Sequence, residues 1–67
     1  MNRESLLSMD PDILLSIVNM KLRDNFNSLK ALCDDVGILE SEILEKLKIT
    51  GRTYNIAENQ FKYSNSI

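Results

Sequence analysis

Residues 28–47, SLKALCDDVGILESEILEKL, decide how this chain folds. Leu29, Leu32, Cys33 and Val36 stand at i, i+3, i+4 and i+7, the spacing of one buried stripe on a helix. Lys30, Asp34 and Asp35 fall on the side left to water. Gly37 follows where a helix wants a left-handed stop, and Ile38 turns back into the core. A second helix is predicted over residues 40–48, with Ile43, Leu44 and Leu47 as its apolar stripe and Glu42–Lys46 as a favourable i, i+4 pair. Asn27 or Ser28 caps the first of these helices, and Gly51 ends the second.

Upstream, Asp10-Pro11 is a helix start. The aspartate accepts from a first-turn N–H. The proline sits where no donor is needed, and Asp12 complements the positive end of the helix dipole. This helix runs to about residue 25. Its polar stripe is narrow: Ser16, Asn19 and Arg23. Ile13, Leu14, Leu15, Ile17, Val18, Met20 and Leu22, then Phe26, cover more than half of the wheel, broken by Lys21 and Asp24. A helix apolar on most sides is central to its fold or shared with a partner. Residues 1–8 carry no start signal and read as a flexible segment, with Leu6 and Leu7 packing loosely at most.

Downstream the period changes from helical to alternating. Tyr54 and Ile56, then Phe61 and Tyr63, alternate with polar residues, which is a strand signal. Ala57-Glu58-Asn59 has the length of a three-residue hairpin loop, and Asn59 tolerates the left-handed backbone such loops need. The aromatics of this hairpin share one face and fold back on the helices, because a lone hairpin is not stable. The expected fold is therefore mainly α, a three-helix core with a C-terminal β-hairpin at 52–63. One domain spans 9–63 and a flexible tail 64–67.

Composition narrows the function. A domain of 67 residues barely compensates its ordering entropy of about 1.5 kcal/mol per residue. With one cysteine and no histidine it has neither an internal disulfide nor a zinc site to help, which favours self-association. No stretch reaches the roughly 20 apolar residues of a membrane span. The start lacks a signal-peptide pattern, and a lone cysteine suits a reducing compartment, so the cytoplasm is expected. Residues 1–45 hold four basic against nine acidic side chains, and residues 46–67 hold four against one.

The pattern of residues 28–47 looks like a helix-turn-helix, with Cys33 at the small position facing the partner helix and the hairpin placed as a wing. Base edges are met by the N-terminal residues of a recognition helix. Here those are Leu39, Glu40, Ser41 and Glu42, whose carboxylates oppose phosphate. A second resemblance covers residues 10–61. DPDILLSIVNMKLRD, SLKALCDDVGI and YNIAENQF resemble a family of short bacterial proteins catalogued as a domain of unknown function, family 4250. That resemblance implies no activity, cofactor or partner. It usually has a capping Asp where this chain has Leu39, so either the helix start frays or Ser41 caps a shorter helix, and Glu42 loses its capping-box partner.

The leading expectation is a non-enzymatic protein-interaction module that meets either a protein partner or a second copy, as a homodimer, through Ile13, Ile17 and Leu22 of the first helix, with Asn19 and Arg23 as polar contacts. The alternative is a nucleic-acid-binding regulator using a basic rim of Lys46, Lys48, Arg52 and Lys62. No catalytic residue, metal site, cofactor or small-molecule substrate is expected: Cys33 lacks an activating base, and Asp34, Asp35, Glu40 and Glu42 lack a cation-loop spacing.

Overall fold

The computed structural model describes residues 3–63, so the expected tail at 64–67 lies outside the described residues. The elements in chain order are α1 (Arg3–Ser8), α2 (Pro11–Asp24), α3 (Leu29–Val36), α4 (Glu40–Lys48), β1 (Arg52–Asn55) and β2 (Gln60–Tyr63). This is a mainly helical fold with a C-terminal hairpin, as the hydrophobic spacing predicts.

Local chemistry sets the helix ends. The Asp10 carboxylate accepts from the Asp12 N–H at 2.9 Å, and Pro11 opens α2. Ser28, rather than Asn27, caps α3 by accepting from the Ala31 N–H at 3.1 Å. Gly37 stops α3 at φ +81°, with its N–H on the Cys33 carbonyl at 2.8 Å. α4 begins at Glu40 without a side-chain cap from Leu39, and Ser41 lies inside it. Its start is held instead by Glu42, whose carboxylate accepts from the Leu39 N–H at 3.1 Å. Glu42 thus keeps half of a capping box although Leu39 offers no side-chain oxygen in return.

Two features differ from the sequence reading. Residues 3–8 form a helix with Leu6 only 1% exposed, where loose packing was expected. No local signal announces α1. Its order comes from Leu6 entering the core and from Arg3 pairing with Glu42 of α4. The hairpin turn is one residue longer than expected. Asn55 pairs with Gln60, so Ile56 leaves the strand for an exposed turn position. The Asn55 side chain organises that turn by accepting from the Glu58 N–H at 3.2 Å. Asn59 takes the left-handed backbone predicted for it, at φ 53°.

The core gathers around α2. Leu14, Leu15, Val18 and Leu22 meet Leu29, Leu32 and Cys33 of α3, Ile43 and Leu47 of α4, and Phe61 of β2. Side-chain amides then bind the hairpin to α2. Asn19 Nδ2 donates to the Phe61 carbonyl at 3.2 Å, and Asn19 Oδ1 accepts from the Phe61 N–H at 2.7 Å. Asn59 Nδ2 donates to the carbonyls of Leu22 and Phe26, both at 2.9 Å, at the end of α2. The Tyr54 hydroxyl donates to Asn59 Oδ1 at 2.5 Å and accepts from the Leu29 N–H at 3.1 Å. The hairpin therefore satisfies open carbonyls where α2 ends and an open donor where α3 begins.

Removing one partner of such a pair leaves the other desolvated and unsatisfied, at about 1–3 kcal/mol. Asn19→Ala is expected to lower the unfolding free energy by that order, read as a lower urea midpoint, while helical circular dichroism at zero urea is retained. Asn59→Gly keeps the left-handed backbone and removes only the amide, so it is expected to destabilise by about 1 kcal/mol. An unchanged midpoint in both would show that the clamp carries no stability.

Candidate functional site

The apolar arc predicted for the first helix resolves into two faces of α2. Leu14, Leu15, Val18 and Leu22 point into the core. Ile13, Ile17 and Met20 stand at i, i+4 and i+7 and fall within about 60° of one another on the helix surface, turned away from that core. Ile13 is 56% exposed, Met20 is 46% exposed and Ile17 is half-buried.

Leu22 does not belong to this stripe. It is 2% exposed and is a core residue. Nine positions beyond Ile13 is two and a half turns, which puts Leu22 on the opposite side of the helix. Met20 occupies the place expected of Leu22, and its i+7 spacing from Ile13 is the signal that identifies it.

Asn19 is likewise not free for a partner, because its carboxamide is engaged by Phe61. Its backbone carbonyl accepts from Gln60 Nε2 at 3.0 Å. Arg23 remains on the surface and pairs with Asp24 at 3.0 Å. The hydrogen bond from Arg23 holds the Asp24 carboxyl below its ordinary range. Asn19 and Arg23 therefore form no common site.

The expected basic rim is only partly available. Lys62 pairs with Glu58 at 2.6 Å. The Arg52 guanidinium lies 4.2 Å from the centroid of the Tyr63 ring. Lys46 and Lys48 have no carboxylate partner among the described residues. Tyr54 and Phe61 pack with ring centroids 5.6 Å apart, Phe61 buried and Tyr54 half-buried. Tyr63 departs from the expected shared burial: it is 68% exposed and lies over Gly51. At the other end of α4, Arg3 holds Glu42 below its usual range by its hydrogen bond, and the Leu39 N–H adds to this.

Among the described residues no three potential metal ligands converge. Asp34 is taken by Lys30 at 3.0 Å. Cys33 is a core residue whose thiol is pushed up to about 11, first by burial and then by the negative charges of Glu40, Asp34 and Glu42. A shallow depression between the end of α2 and α3 is lined by Lys21, Asn25, Phe26, Leu32, Asp35 and Val36.

Residues 8–61 match the family model described as "Domain of unknown function (DUF4250)". The chain belongs to this family. The DUF4250 match begins just before α2 and ends at Phe61, so the Asn19–Phe61 clamp lies inside it and Arg3 lies outside. The description of the DUF4250 family names no activity. No curated protein and no solved structure matches the chain.

A thiol raised from 9.0 to about 11 holds roughly a hundredfold less thiolate at neutral pH. Native Cys33 is therefore expected to react with a disulfide reagent at least a hundredfold more slowly than the urea-unfolded chain. Because the folded value is the higher one, the contribution to stability is full below pH 9 and fades as pH rises through about 11. Equal reaction rates in the folded and unfolded chain would contradict the burial of this thiol.

Proposed function

We propose that this protein is a small non-enzymatic interaction module of the cytoplasm that docks a partner protein on the Ile13–Ile17–Met20 stripe of α2. The observation that carries the reading is the stripe itself. A helix whose other face fills the core still offers aligned apolar side chains to the outside. Complete burial of an Ile or Met side chain contributes about 1.5–3 kcal/mol, so closing this stripe gives a real drive to associate. Chemistry on the chain argues the same way. It has no histidine, and its one thiol is buried and held protonated. Among the described residues no helix is long and apolar enough to cross a membrane.

In this reading the helix-turn-helix-like pair of α3 and α4 is scaffold. The first turn of α4 carries Glu40 and Glu42, and Arg3 is already engaged there. Of the basic rim Lys62 is neutralised by Glu58, and Lys46, Lys48 and Arg52, the last stacked on the Tyr63 ring, keep their charge, which is little for holding a phosphate backbone.

Photo-crosslinking in the native cell tests the proposal, with the reactive side chain at position 13, 20 or, as a control, 34. Protein adducts are expected from positions 13 and 20 and not from 34. Ile13→Asp is expected to reduce the adduct at position 20 at least tenfold without loss of helical signal. No adduct at 13 or 20, or equal adducts at 34, would reject the stripe as a docking face. Salt-sensitive DNA binding lost in a Lys46→Glu, Lys48→Glu double variant would replace the reading with the nucleic-acid one.

A further inference from the structure

We infer that the occupant of the α2 stripe is α2 of a second copy, packed antiparallel about a two-fold axis near Ile17. The inference rests on the interaction reading above and names its partner.

The layout of the stripe carries the first part. Ile13 lies four residues before Ile17 and Met20 three residues after it. A two-fold interface brings the same patch of both copies together, so residue i meets j and j meets i. With the axis near Ile17, Ile13 of one copy meets Met20 of the other, twice over, and the two Ile17 side chains meet at the centre. A stripe centred on its own midpoint is complementary to itself in this orientation.

Charge chooses the direction. Asp10 and Asp12 stand at the start of α2, and Lys21 and Arg23 stand in its last turn. Asp12 and Arg23 lie on the same flank of the stripe by helical spacing. Antiparallel packing therefore sets the acidic end of one helix beside the basic end of the other, whereas parallel packing sets like beside like. Asp24, paired with Arg23, offsets one charge of the last turn, and Lys21 keeps that turn positive. The two helix dipoles also run opposed, which places each positive helix end near a negative one.

The test uses full-length chains carrying Ile13→Cys or Met20→Cys with distinguishable mass tags. Native Cys33 stays in place, and the native chain is the control for its inertness. Both variants are checked by circular dichroism, the substituted side chains being exposed. The two variants are then mixed and mildly oxidised. The mixed disulfide, joining position 13 of one chain to position 20 of the other, is expected to exceed each like-with-like disulfide at least tenfold. Like-with-like disulfides in excess would overturn the antiparallel arrangement in favour of a parallel one. A statistical mixture, or no disulfide together with a single monomer mass in sedimentation up to millimolar chain, would overturn the second copy as partner. The in-cell adduct distinguishes that failure from failure of the docking face. An adduct with a different protein at position 13 or 20 keeps the face and removes the second copy. No adduct removes both.

Discussion

The carboxamide of Asn19 pairs with both backbone groups of Phe61, and the rest of the structure depends on that contact. A two-stranded hairpin is marginal by itself. Here it is held because α2 presents an amide with a donor and an acceptor at the spacing of a backbone unit. Phe61 is thereby carried into the core, where the Tyr54 ring packs beside it. Asn59 and Tyr54 then serve the junction between α2 and α3, where they bind the Leu22 and Phe26 carbonyls and the Leu29 N–H. Strand and helix satisfy each other's open polar groups, and neither arrangement needs a buried charge.

This mutual satisfaction explains why one face of α2 is left over. The helix is gripped from several directions at once, by α3, α4 and the hairpin. Among the described residues no further element covers the side of Ile13 and Met20. The exposed stripe is thus the consequence of a small fold with one central helix, and it is where an added surface relieves the most apolar exposure.

Much of the fold was legible because it is written locally. Asp10-Pro11, Ser28 and Gly37 act on neighbours a few residues away, and their positions alone mark where helices begin and end. α1 was not legible, since Leu6 and Arg3 find their partners on distant elements. The same reason hid the role of Asn19: on a helical wheel it reads as a polar surface position, and its partner lies 42 residues on. Leu22 was misplaced for a different reason. Apolar character says that a residue is buried by something, and only its direction around the helix says whether that something is its own core.

The separation between Asn19 and Phe61 also orders events in time. The helical turns close over three or four residues, whereas the clamp must close a loop of 42 residues. Contacts of long sequence separation form slowly, because the entropy of closing the loop is lost before they can return anything. The helices α2, α3 and α4 are joined by shorter connections than the clamp, so the hairpin is expected to dock after them. On that order, changes at Asn19 are expected to act mainly by speeding departure from the native state, and changes in the α2–α3 core by slowing arrival.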